Sequence, residues 1–202
     1  MLNLHSQFSI LNFQFSIKQA MFNTKIALRT LLFALLVAGL GTTGCKKDED
    51  TKQENITRIV VRLSGAGGFS QSFTWSDPDG GDASNATVQP IVIPASAGAT
   101  LTALIEVYDD TKTPVENLTE EIIEEKNEHL FTFTVTGANL GIAYDDQDGN
   151  GKAFGQKTVW TKGAASAGAV KISLYHEPSN KDNLASPGGE LDATVDFPVT
   201  IQ

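Results

Sequence analysis

Residues 69–75 read FSQSFTW, with Phe69, Gln71, Phe73 and Trp75 on alternate positions and Ser70, Ser72 and Thr74 between them. Successive side chains of a strand point to opposite faces, so this period of two describes a strand with one wet face. The same pattern recurs on both sides. Residues 56–63 (ITRIVVRL) form a strand with Arg58 and Arg62 on one face, and residues 99–108 (ATLTALIEVY) alternate Leu101, Ala103, Ile105 and Val107 against their neighbours. Residues 130–136 (LFTFTVT), 140–144, 157–161 (KTVWT), 170–176 (VKISLYH) and 193–201 (ATVDFPVTI) continue the series, separated by Gly, Pro, Asn and Asp. Pro90 within 87–93 and Pro198 near the end mark edge or bulged strands, because proline cannot donate to a ladder. Residues 117–129 (NLTEEIIEEKNEH) suit either a helix capped by Thr119 or a strand containing Ile122 and Ile123, and the β context tips the expectation to a strand. Eight to ten short strands predict an all-β antiparallel sandwich, immunoglobulin-like, over residues 56–202, with a closed barrel as the alternative.

Upstream of the strands the chemistry changes. Lys25 and Arg29 precede an apolar run at 31–40 (LLFALLVAGL), which as a helix spans only about 15 Å, half of a bilayer core. Gly41, Thr42, Thr43 and Gly44 are small, Cys45 is the single cysteine, and Lys46, Lys47, Asp48, Glu49 and Asp50 follow at once. Basic start, short apolar core and small-residue cleavage site are the parts of a secretory signal. The stretch resembles the bacterial lipobox, with Thr42 where the family usually has leucine. That resemblance implies a signal peptide at 21–44 and a lipidated Cys45 as the membrane anchor. Residues 46–50 resemble the acidic export signal of Bacteroidota surface lipoproteins, implying an outer-membrane protein facing the cell surface, with 45–55 as charged tether. Met21 makes a more ordinary signal start than Met1, so residues 1–20 are read as untranslated upstream sequence.

The chain's net charge is −9, and the part from Cys45 onward carries −12, because three of the 15 Lys and Arg and none of the 24 acidic residues precede it. Such a surface repels phosphate backbones, which argues against a nucleic-acid partner. A lone cysteine excludes an internal disulfide.

Residues that could carry chemistry are few. His129 beside Glu128 and His176 beside Glu177 have the composition of acid–base or metal pairs, yet strand neighbours point to opposite faces, so neither pair is pre-arranged. No nucleophile triad, zinc-helix motif or phosphate loop is present, which argues against an enzyme. Trp75, Tyr108, Tyr144, Trp160 and Tyr175 are candidates for a glycan platform, or for core. Asp146, Asp148 and Asn150 fit the opening D-x-D-x-N-G of a calcium loop, but Lys157 occupies the twelfth position where an EF-hand needs glutamate. A simpler Ca2+ site remains, joined by Asp145 or by the Asp77, Asp79 and Asp82 loop; the competing reading is that these are turn formers.

The pieces FTWSDPDGGD, EEKNEHLFTF, AYDDQDGNGKAFG and LYHEPSNKDNLASPGGELDATVDFPVTI resemble small Bacteroidota lipoproteins often labelled "type 1 periplasmic binding fold superfamily protein". The label's two α/β lobes conflict with the strand pattern, so the β reading is kept. The functional expectation is a non-enzymatic binding or accessory module, beside an outer-membrane nutrient receptor or facing a glycan. The alternative is a structural envelope lipoprotein with calcium-stiffened loops.

Overall fold

The computed structural model describes residues 54–80 and 85–202; the signal peptide, Cys45, residues 46–50 and Asp82 lie outside them. Two β-sheets pack face to face as an all-β sandwich. The larger sheet, A, runs β3-β2-β1-β5-β9-β8, with β6 also on β5, and the smaller, B, runs β4-β11-β10-β7. Sheet A comprises β1 (Arg58–Ser64), β2 (Ser70–Ser76), β3 (Thr87–Val88), β5 (Thr100–Asp109), β6 (Glu116–Asn117), β8 (Leu140–Tyr144) and β9 (Lys157–Lys162). Sheet B comprises β4 (Ile91–Ile93), β7 (His129–Thr136), β10 (Ser166–His176) and β11 (Glu190–Ile201). No helix of the described residues is long and apolar enough to cross a membrane.

Alternation builds the core. Ile59, Val61 and Leu63 of β1 lie opposite Val107, Ile105 and Ala103 of β5, all fully buried or nearly so. Val170, Ile172 and Leu174 of β10 lie opposite Phe197, Val195 and Ala193 of β11. Each large aliphatic side chain removed from water contributes about 1.5–3 kcal/mol, so these facing rows bind the two layers together. The polar face of β1 is also ordered. Arg58 holds Asp110 at 2.8 Å and lies 3.9 Å over the Tyr108 ring, while Arg62 pairs with Glu106 at 2.6 Å.

Three local expectations change. Residues 87–93 are not one strand. Pro90 sits where the chain leaves β3 on sheet A and enters β4 on sheet B, so proline marks a crossing between layers. Residues 119–124 form a helix, α1 (Thr119–Glu124), rather than a strand. One turn needs only one of the paired isoleucines buried, and Ile122 is inside while Ile123 is 40% exposed. Thr119 does not cap it. Its hydroxyl instead exchanges bonds with the Val107 backbone, and Asn117 Oδ1 accepts from the Thr119 N–H. Pro198 lies on a strand between two others. The three-residue β4 begins its parallel pairing only at Val199, so Pro198 sits just short of that ladder.

Candidate metal centre

The calcium-loop candidate at residues 145–150 is a turn with every carboxylate occupied. Asp146 accepts from the N–H groups of Gly155 and Lys157 at 2.6 and 2.7 Å. Asp148 Oδ1 accepts from the N–H groups of Asn150 and Lys152, and its Oδ2 from Lys181 Nζ at 3.0 Å. The Asp148 and Lys181 side chains are 1% and 6% exposed. Burial pushes the Asp148 carboxyl up, but the N–H groups and Lys181 outweigh it and hold it below its ordinary value. The Lys181 ammonium is thus the counter-charge of Asp148. Asn150 contributes its backbone N–H to this turn, and Asp145 pairs with Lys157 at 2.7 Å. Asp79 accepts from Asn85 at 2.7 Å, and Asp77 is buried at the end of β2.

The aromatic candidates do not gather into a platform. Trp160 is fully buried, Tyr144 donates to the Phe131 carbonyl, and Tyr108 lies under Arg58 on the outer face of sheet A.

What the fold does gather is Glu54, His129, His176 and Asp192, whose ligand-capable atoms all lie within 4.8 Å of one another. The placement follows from register. His129 opens β7 on the face that continues through Phe131, and His176 closes β10 on the face of Ile172 and Leu174; the two are direct cross-strand partners. Their rings stack at 4.8 Å, with planes 4° apart.

Asp192 arrives by a bulge. Leu174 pairs with Ala193 and Tyr175 with Leu191, so Asp192 is the extra residue of β11. Strict alternation would have turned Asp192 outward and Leu191 inward. The bulge re-aims both, and Leu191 is left 44% exposed. Gly189 permits the approach just before β11: its φ is +81°, and a Cβ there would collide with the His176 carbonyl. Glu54, four positions ahead of β1, completes the set with its Oε1 3.2 Å from His129 Nε2.

The hydrogen bonding points to a cation at this place. His129 Nδ1 lies 3.2 Å from the Glu125 carbonyl, which can only accept, so Nδ1 carries the proton. In the neutral imidazole, Nε2 then turns a lone pair toward a carboxylate oxygen. Only a proton or a metal ion between them makes that contact favourable. A tetrahedral zinc with ligands at about 2.0–2.2 Å sets neighbouring donors about 3.3–3.6 Å apart; His129 Nε2 and Glu54 Oε1 stand 3.2 Å apart, and all four donors lie within 4.8 Å of one another. The Glu125 carbonyl supplies the outer hydrogen bond that metal-ligating histidines use to fix their tautomer. A proton alone leaves the rest unexplained. Glu54 Oε2 and both carboxylate oxygens of Asp192 are shut off from solvent without a hydrogen-bond partner among the described residues. Buried native acceptors are otherwise almost always paired.

Titration reflects the same crowding. Burial, then the charge of Glu54, pushes the Asp192 carboxyl up to about 6, against the opposing pull of His176 and His129. Burial pulls His129 down, but the bond to Glu54 and the nearby negative charges leave it raised. Burial likewise pushes Glu54 up, and His129 outweighs it, leaving Glu54 lowered. At the rim, His176 also lies near the exposed carboxylates of Glu128 and Glu177.

Sequence reasoning had both histidines at strand ends, weighed each only against its chain neighbour, and found neither pair pre-arranged. Their shared inward faces were the available signal; Glu54, in the tether, and Asp192, on a bulge, had none. A comparison with protein-family models, curated proteins and solved structures finds no match.

Proposed function

We propose that this protein is a non-enzymatic, lipid-anchored binding module whose ligand is a divalent first-row transition-metal ion held by Glu54, His129, His176 and Asp192. The observation that carries the reading is the Asp192 carboxylate, buried without a donor among the described residues beside two stacked histidines. Two imidazoles and two carboxylates suit Zn2+ and its neighbours, whereas Ca2+ and Mg2+ prefer sites built wholly of oxygen. Four protein donors fill a tetrahedral ion and leave no open position for a reacting water, which favours storage, capture or structural use over catalysis. The negative field of the domain concentrates cations near the site.

The test is a zinc titration of the purified protein against a chelating dye. One equivalent is expected to bind, with loss of binding in His129→Ala and in Asp192→Ala; no competition with the dye by the wild-type protein sinks the reading.

Cys45 as lipid anchor and residues 46–50 as surface address complete the proposal, on the strength of the signal-like stretch before them. A capture module at the outer membrane suits a place beside a nutrient receptor. Cys45→Ser is expected to move the protein to the soluble fraction, and sedimentation of that variant with membranes would require another anchor.

A further inference from the structure

The four donors do not come from one layer. His129, His176 and Asp192 all belong to sheet B, while Glu54 lies outside every strand and leads directly into β1 of sheet A. The other polar contacts of this lead run to sheet A and the loop that follows β5. Thr57 N–H donates to the Tyr108 carbonyl at 3.0 Å, Asn55 Nδ2 to Asp109 at 3.2 Å, and Asp110 N–H to Thr57 Oγ1 at 2.7 Å. The Glu54 carboxylate alone among these groups reaches across to sheet B, and it is 11% exposed there. Resting on the metal-binding reading above, we infer that the bound ion is a latch, joining the N-terminal lead of sheet A to the open end of sheet B.

The physical reason lies in the contact itself. The Glu54 Oε1 stands 3.2 Å from His129 Nε2, and the ligand-capable atoms of His176 and Asp192 lie within 4.8 Å, so one cation among them bonds groups from both layers. An ion bonded to both layers ties them at Glu54; without it the lead keeps its bonds to sheet A and the buried Ile56 and Thr57, and local opening there costs less than with the added tie.

The test compares Zn2+, Mg2+ and EDTA on the intact protein purified in detergent. Zinc occupancy is read with a chelating dye, and hydrogen exchange is followed in peptides covering residues 54–58. Zinc, and not magnesium, is expected to slow exchange at Ile56 and Thr57 by about tenfold or more. Glu54→Ala, brought to zinc saturation on its three remaining donors, is expected to lose that protection. Zinc binding with unchanged exchange at 54–58, or equal protection in Glu54→Ala, overturns the latch and leaves the metal site standing. Absence of zinc binding to the wild-type protein removes both.

Discussion

In the turn at residues 145–152, each carboxylate oxygen of Asp146 and Asp148 has a donor, and a buried lysine neutralises the charge. At the ends of β7, β10 and β11, two carboxylates and two imidazoles converge, with three oxygens lacking any donor among the described residues. The first region has the recognisable metal motif; the second has the chemistry that a metal would complete. Carboxylate count does not separate them. What separates them is whether the backbone has already used the lone pairs. A tight Asx-type turn folds its side chains onto its own N–H groups. Strand ends in register leave theirs pointing at one another.

The comparison is sharpened most strongly at Asp148. Replacing it by alanine leaves the buried Lys181 ammonium with the Lys126 carbonyl but without its counter-charge, and breaking such a pair costs about 3–5 kcal/mol. Chemical denaturation of Asp148→Ala measures this, with calcium and chelator expected to give coincident curves for the wild-type protein. A loss below about 1 kcal/mol, or a calcium-dependent gain, would remove the distinction between the two regions.

At the other region the same kind of change has the opposite sign. Asp192→Asn removes a buried charge that has no donor among the described residues, so the metal-free protein near pH 8 is expected to gain about 1 kcal/mol, allowing for partial exposure to solvent. It is also expected to lose its response to zinc. Zinc at a hundredfold excess over Kd stabilises the wild-type protein by about 2.7 kcal/mol. Thermal melts of both proteins with and without zinc decide the matter. Destabilisation of metal-free Asp192→Asn would mean that Asp192 makes favourable contacts in the fold.

The smallest effect is the pH profile of the metal-free protein. Asp192 has a raised value in the fold, about 6 against an ordinary 3.8, so its folded state favours the protonated form and loses stability as pH rises through that interval. His129 is also raised, so its contribution is complete below its ordinary value and disappears as pH climbs through its folded one. Glu54 is lowered, so its contribution is present above its ordinary value and disappears only as pH falls through the folded one. Together they place the metal-free maximum at mildly acid pH, with a decline toward pH 8 that zinc reverses. A metal-free profile that is flat from about pH 5 to 8 would show that these groups do not titrate against one another.

Much of the fold could be read from the chain, because alternation is local. A strand with one buried face repeats apolar residues every second position, and β1, β5, β7, β8, β9 and β10 follow the segments that this period marks out. The fold's departures occurred where local preferences were balanced. Glutamates favoured helix and paired isoleucines favoured strand at 119–124, and only the neighbouring layer decides that Ile122 alone needs cover. Pro90 signalled an interrupted strand, but nothing nearby in the chain reveals that its two halves serve different sheets.

The candidate site divides in the same way. His176 ends the row of Val170, Ile172 and Leu174, and that much follows from residue order, whereas His129 joins the row of Phe131 only because β7 begins one residue before the segment that the period marks out. Their stacking required β7 and β10 to pair in one register, a contact between residues 47 positions apart. Asp192 points into the site only because one extra residue in β11 reverses the alternation there, and Glu54 comes from a segment whose charge reads as tether. Sequence by itself determined strand periods, the signal-like stretch and the balance of charge, all of which depend on neighbours along the chain. Tertiary structure decided which acceptors were left without donors, because that depends on what packs against them from elsewhere.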